Sequence, residues 1–243
     1  MFKTALLSAV LFLPRAAVCA PPPATEYKVL ADQASVPEIK KTFGLAGRGK
    51  VLQVYFYDTA GLDLYGRGRV LRARAGAKNG DITVKMRPAP AVIPPEVLAA
   101  PNFKCEFDRT AGASVYACSL SREKTAAQIA AAARGGLKLE KLFKRKQEAW
   151  LGDLDWRNLL VLGPVKSESW QANRPGLGEL AFESWTLPGG PSFFEISFRA
   201  TGAPEAAEEK IKAFHKELER LGVKLAADQS SKTYAAMAFF AKK

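Results

Sequence analysis

Four cations stand at alternate positions of two neighbouring segments: Arg72 and Arg74 in Val70-Leu71-Arg72-Ala73-Arg74, and Lys85 and Arg87 in Thr83-Val84-Lys85-Met86-Arg87. Alternate residues of a β-strand share a face, so each segment turns two cations to one side and Leu71, Ala73, Val84 or Met86 to the other. Guanidinium and ammonium groups gathered in this way hold anionic oxygens, Arg as a planar fork and Lys as a point charge. Asn79-Gly80 lies between the segments and is the preferred two-residue hairpin turn, because both positions accept positive φ. Counting outward from it sets Arg74 opposite Lys85 and Arg72 opposite Arg87. Like charges directly opposite each other destabilise a sheet. Nothing local in the sequence neutralises them, and an external polyanion would. For one hairpin taken alone, the competing reading is the solvated outer face of an antiparallel sheet.

Carboxylates show the same alternation. Glu26 and Lys28 alternate with Tyr27 and Val29, while Glu195, Ser197 and Arg199 alternate with Phe194, Ile196 and Phe198. Cys105 and Cys118 are symmetric about Ala111-Gly112; a two-residue loop there makes them a cross-strand pair whose short separation suits a disulfide. Parity then puts Glu106 and Asp108 on the face opposite the disulfide, beside Val115 and Ala117. A place in an enclosed lumen and a plain surface pair remain equally open for these two acids. A sheet that curls around such mixed faces has a wet, charged interior and an apolar outside covered by helices, the inverse of an ordinary small barrel.

The elements that must position these residues are short. Alternating runs at 26–30, 52–58, 70–75, 82–87, 103–109, 115–120, 180–185 and 194–199 predict eight strands. Ser35 with Glu38 predicts a capping box opening a short helix. An Ala-rich helix is expected over 122–134, ending at Gly135-Gly136. Another starts at Pro204, sets Ile211, Phe214, Leu218 and Leu221 on one face and stops at Gly222. Residues 88–101 read as a proline-rich loop.

The chain has 243 residues with 36 Lys+Arg against 24 Asp+Glu, a net charge of +12. Its first residues, a cation at Lys3 followed by the apolar run at 5–13 and Pro14-Arg15, have the layout of a secretory signal peptide. We therefore expect a leader over 1–24, cleaved near 20–24, one domain over 25–243, and export to a periplasmic or secreted location. No segment approaches the roughly 20 apolar residues of a membrane span. The basic balance favours anionic partners without choosing among them. Specific nucleic-acid binding is not expected, because Tyr55 and Tyr57 read as packed strand residues rather than exposed stacking platforms. Lys144-Arg145-Lys146 reads as a solvated charge run.

Several blocks resemble the CYTH, or triphosphate tunnel metalloenzyme, superfamily. Val54-Tyr55-Phe56-Tyr57-Asp58-Thr59-Ala60-Gly61-Leu62-Asp63-Leu64 resembles its YFDTPDLxL strand and turn, Val70 to Arg74 its LRxR strand, and Thr83 to Pro88 its TVKLRP strand. Phe103 to Asp108, Leu162-Gly163-Pro164, Glu195-Ile196-Ser197 and Lys232-Thr233 follow in the family order. The resemblance implies an α+β fold, an antiparallel eight-stranded tunnel-like β-barrel with a charged interior, flanked by helices. It makes Arg72, Arg74, Lys85 and Arg87 phosphate binders, joined by Lys28, Arg199 and Lys232. Glu26, Glu106, Asp108 and Glu195 become ligands for Mg²⁺ or Mn²⁺, with Glu26 and Glu195 in the catalytic role. The partner is then a polyphosphate or another triphosphate-containing small molecule, and the activity phosphoanhydride hydrolysis. Two departures favour a binding module that captures a polyanion without cleaving it. The family's ExExK opening reads Ala24-Thr25-Glu26-Tyr27-Lys28 here, and a frequent ExE reads Glu195-Ile196-Ser197.

Overall fold

The computed structural model describes residues 24–202 and 204–242. The expected leader lies outside the described residues except for Ala24, the first residue of β1. Nine strands form the sheet: β1 (Ala24–Ala31), β2 (Lys50–Asp58), β3 (Arg69–Ala75), β4 (Asn79–Met86), β5 (Phe103–Arg109), β6 (Ser114–Thr125), β7 (Leu160–Arg174), β8 (Gly178–Thr186) and β9 (Ser192–Ala200). Seven helices accompany them: α1 (Val36–Thr42), α2 (Asp63–Gly66), α3 (Pro95–Leu98), α4 (Ala126–Ala133), α5 (Arg145–Leu151), α6 (Pro204–Arg220) and α7 (Lys232–Ala241). No helix among the described residues is long and apolar enough to cross a membrane.

The strands close into a barrel in the order β1-β5-β6-β4-β3-β2-β7-β8-β9. Two features of the expected barrel are corrected. The strand missing from the count of eight is β7, a 15-residue strand whose Gly163-Pro164, Ser and Lys residues interrupt any clean alternation. The sheet is also mixed, because β1 pairs parallel with β5, joining Ala24 to Glu106 and Glu26 to Asp108.

Alternation fixes which face is covered. Leu71, Ala73, Ile82, Val84, Cys118 and Leu120 turn outward into a cluster with Ile129 of α4 and Trp150 and Leu151 of α5. On the other side Tyr27, Val29, Phe194, Ile196 and Phe198 pack against Ile211, Phe214 and Leu218 of α6. Burying each such large side chain contributes roughly 1.5–3 kcal/mol, so the sheet's outer face is the protein's main apolar core. A third cluster contains Val54, Phe56, Val70, Leu162, Val165 and Trp185 with Ala236 and Met237 of α7. On β2 and β3, Val54, Phe56 and Val70 share parity with Arg72 and Arg74, so this cluster belongs to the inner face.

The helices refine the expectations. Ser35 makes no side-chain cap; Asp32 does so instead, its carboxylate accepting from Ala34 N at 2.8 Å to open the 3₁₀ turn Gln33–Ser35. The Ala-rich helix starts at Ala126, not 122, because residues up to Thr125 still pair with β4. There Thr125 and Gln128 cap each other: Gln128 N donates to Thr125 Oγ1 and Thr125 N to Gln128 Oε1, both at 3.2 Å. α6 has the expected buried stripe, and Gly222 follows it at φ 68°.

The register of β3 and β4 overturns the turn assignment. Arg74 faces Asp81, Arg72 faces Thr83 and Lys85 faces Val70. Gly76 N donates to Asn79 O at 2.9 Å, so Ala77-Lys78 is the tip. Asn79-Gly80 instead begins β4. Gly80 answers a different need: a Cβ there would stand 2.2 Å from Arg74 O and 2.6 Å from Cδ1 of Ile129, so glycine lets the backbone of β3 come this close. The two registers differ by an even number of residues, so every side chain keeps its face. The Ala111-Gly112 hairpin forms as expected, with Glu106 opposite Ala117, Asp108 opposite Val115, and Cys105 bonded to Cys118.

Candidate functional site

The barrel encloses a cavity of about 600 Å³ that extends from Arg74, near the β3–β4 tip, to Gly112 and Ala113 in the β5–β6 turn. Seven Lys and Arg side chains line it against five Asp and Glu. Arg72, Arg74, Lys85 and Arg87 all reach it, as do Lys28 and Lys232. The observed register spreads the hairpin cations one to a rung: Arg74 beside Asp81, Arg72 beside Thr83, Lys85 beside Val70. Arg87 follows beyond, its backbone N donating to Gly68 O at 2.7 Å. Rungs two residues apart are spaced by roughly 7 Å. The expected face-to-face cation pairs are therefore replaced by a staggered ladder along the cavity.

Asp108 is the hub at one end of that ladder. Lys85 Nζ and Arg87 Nη2 each stand 2.5 Å from its Oδ2, and Lys28 Nζ stands 3.5 Å from its Oδ1. Burial would push this carboxyl up, but Lys28, Arg87 and Lys85 together hold it well below the usual range. Glu26 accepts from Lys28 at 2.7 Å; burial opposes its ionisation, yet that ammonium leaves its pKa lowered. Lys28 shows the reciprocal effect, with Glu26, Glu195 and Asp108 outweighing burial to raise it. Glu106 takes Lys104 at 2.9 Å and the guanidinium of Arg199. Lys85 is pushed down to about 8 by burial and by Arg87, despite Asp108.

At the other end the cations are less well answered. Arg74 Nε donates to Asp81 at 2.9 Å. Arg72 forms no ion pair or hydrogen bond among the described residues, and its Nε is buried without a partner. Burial, then Arg74, pushes it down to about 10. Near it stands Glu183, which the sequence reading missed, together with the expected Glu195 and Lys232. Glu183 and Glu195 lie directly opposite each other on β8 and β9, an arrangement that repels. Lys232, at the start of α7, relieves it by pairing with Glu183 and, at 3.1 Å, with Glu195. Ser167 Oγ donates to Glu183 at 2.6 Å. Burial raises the Glu183 carboxyl, but Lys232 and these hydrogen bonds bring it down to about 2. The signal for Glu183 was present in its alternation with Leu180 and Phe182; Asp81 was hidden by the turn assignment.

Three of the four expected metal ligands converge. One carboxylate oxygen from each of Glu26, Glu106 and Asp108 lies within 4.8 Å of the others, while Glu195 stands outside this trio on Lys232. Hard oxygen donors of this kind suit Mg²⁺ or Mn²⁺. Both Asp108 oxygens are buried without a well-directed hydrogen bond, so this set of donors suits a divalent ion that takes the place of the cations now beside it. Ala24, where the family motif has a glutamate, pairs across β1 and β5 with Glu106, which brings a carboxylate next to that position from another strand.

Sequence comparison with family models and with curated proteins finds no match. Solved structures do match in fold. A putative adenylyl cyclase from Hippeastrum, HpAC1, described as having a dominant triphosphatase activity, aligns with 87% of this chain and 93% of its own at 15% identity and a TM-score of 0.59. A putative adenylate cyclase from Bacillus halodurans aligns over 88% and 96%, at 15% identity and a TM-score of 0.58. The chain thus has the CYTH-type fold.

Proposed function

We propose that the protein is a metal-dependent phosphohydrolase acting on a triphosphate, polyphosphate or nucleoside triphosphate held in the basic cavity. The observation that carries this reading is Arg72, a half-buried guanidinium in the cavity wall that forms no ion pair or hydrogen bond among the described residues and whose Nε is buried without a partner, on a rung between Arg74 and Lys85. A phosphate chain supplies the missing negative charge, and the ladder offers it one cation after another. The triphosphatase activity of HpAC1 is in keeping with this assignment.

Glu26, Glu106 and Asp108 are the residues that would hold Mg²⁺ or Mn²⁺. The ion would neutralise phosphate charge and polarise a phosphoryl oxygen. Arg72, Arg74, Lys85 and Arg87 hold the non-bridging oxygens and stabilise the charge that shifts to the leaving oxygen, where catalysis of this class is concentrated. Glu195, fixed by Lys232, orients the attacking water. Water adds to the terminal phosphorus, the anhydride P–O bond breaks with its electron pair on the bridging oxygen of the shortened chain, the water's proton passes to solvent, and orthophosphate is released. We also propose that the protein works outside the cytoplasm, with the Cys105–Cys118 disulfide as support.

A second reading has its own observation: each member of the acidic trio is already engaged by Lys28, Lys85, Lys104, Arg87 or Arg199. That favours capture of the polyanion without cleavage. Phosphate release from triphosphate, polyphosphate and ATP with Mg²⁺ or Mn²⁺, measured beside binding of the same compounds, separates the two. Release that Arg72→Met abolishes supports the hydrolase; tight binding without release supports capture; absence of both removes the cavity assignment.

A further inference from the structure

A second concentration of positive charge among the described residues lies outside the barrel. Residues 122–146 contain eight Lys and Arg against Glu123 and Glu140. None of the eight forms an ion pair among the described residues, although carboxylates elsewhere on the protein are repeatedly paired. Glu140 lines a separate hollow with Asp153 and Asp155.

The fold makes this surface continuous with the cavity. Arg122 and Lys124 share the outward parity of Leu120 on β6 and pair with Ile82 and Gly80 of β4. They therefore lie on the outer wall of the hairpin whose inner wall carries Arg72 and Arg74. Lys78 is exposed at the tip joining the two walls, and its carbonyl accepts from Ala126 N at 2.9 Å. Lys124 Nζ donates to Lys141 O at 3.1 Å, which brings the exposed Lys141 and Lys144 alongside. Burial, then Lys144 and Arg122, lowers the Lys124 pKa, as expected where cations crowd without an acid. Two acids border the path at the rim: Asp81, already held by Arg74, and the exposed Glu123 opposite it.

Shape decides what such a path fits. A bilayer or a rigid duplex can lie on the outer wall but cannot follow the cations over the tip and into the lumen. A flexible linear polyanion can. Stacking of unpaired bases calls for exposed aromatic rings among the cations, and residues 122–146 contain only Phe143, which is buried. We propose that Lys78, Arg122, Lys124, Lys141 and Lys144 hold the trailing length of a linear polyphosphate whose end lies among the lumen cations. The proposal rests on the cavity reading above and narrows its ligand from a short triphosphate to a long chain.

The test compares two ligands on the full chain. Inorganic triphosphate and long-chain polyphosphate are titrated into the wild type and into a variant carrying R122Q, K124Q, K141Q and K144Q, at two salt concentrations. We expect triphosphate affinity to stay unchanged, and long-chain affinity to fall about tenfold or more with a shallower salt dependence, as for a polyanion losing several charge contacts. Equal long-chain affinity in the two proteins overturns the proposal. A variant confined to K141Q and K144Q, both exposed, reports a smaller loss in the same direction and guards against a folding defect. Arg72→Met tests the lumen separately: if it leaves triphosphate binding intact, the cavity reading fails whatever happens outside. If a single-stranded oligonucleotide binds as tightly as polyphosphate and loses as much in the variant, the surface belongs to nucleic acid and the assignment to polyphosphate is overturned.

Discussion

Lys85 and Arg72 stand on neighbouring rungs of the same hairpin face, yet their charges are met differently. Lys85 shares Asp108 with Arg87 and Lys28, so that end of the cavity is a cross-linked set of opposite charges. Arg72 has Arg74 for a neighbour and no partner of its own among the described residues. At the first end cations and carboxylates are paired with one another; at the second, Arg72 is left without a direct pair among the described residues. Breaking a buried ion pair by removing one member is strongly destabilising, whereas removing an uncompensated buried charge relieves the fold. Substitutions at the two ends should therefore have opposite signs.

The largest effect is expected at the hub. Asp108→Asn leaves Lys28, Lys85 and Arg87 facing one another and should lower the unfolding free energy by about 3–5 kcal/mol, read by urea denaturation at neutral pH. An unchanged midpoint would mean that the cross-linked end is no more self-sufficient than the other. Glu183 should come next, and only in acid. Its folded pKa is depressed from 4.5 to about 2, so its contribution is present above 4.5 and is lost as pH falls toward 2. The depression corresponds to about 3 kcal/mol. Glu183→Gln should flatten that part of the stability–pH curve relative to the wild type, and two parallel curves would refute the role of Lys232 as its counter-ion. The smallest change, and the opposite sign, is expected at Arg72. Arg72→Met should raise stability without ligand by about 1 kcal/mol while weakening triphosphate binding at least about tenfold. Loss of stability with binding intact would erase the contrast between the two ends.

Much of this arrangement was legible in the chain because a strand's side chains alternate with period two. Arg72, Arg74, Lys85 and Arg87 could be assigned to one face without knowing the register, and an error of an even number of residues left that assignment unharmed. The same parity, with a turn at Ala111-Gly112, placed Glu106 and Asp108 opposite the Cys105–Cys118 bridge. Tertiary structure decided the rest. Gly80 reads as a turn glycine in sequence, but the close approach of the Arg74 carbonyl across the hairpin, with Ile129 of α4 beyond it, is what requires it. The hairpin tip lies at Ala77-Lys78, and the register there turns two opposed cation pairs into a ladder. β7 escaped notice because its residues do not alternate cleanly. The parallel pairing of β1 with β5, which brings Glu26 to Asp108, depends on how the barrel closes. Local spacing determines the face on which a charge stands; the partner that answers it, or the lack of one, depends on strands distant in the chain, and only closure brings those together.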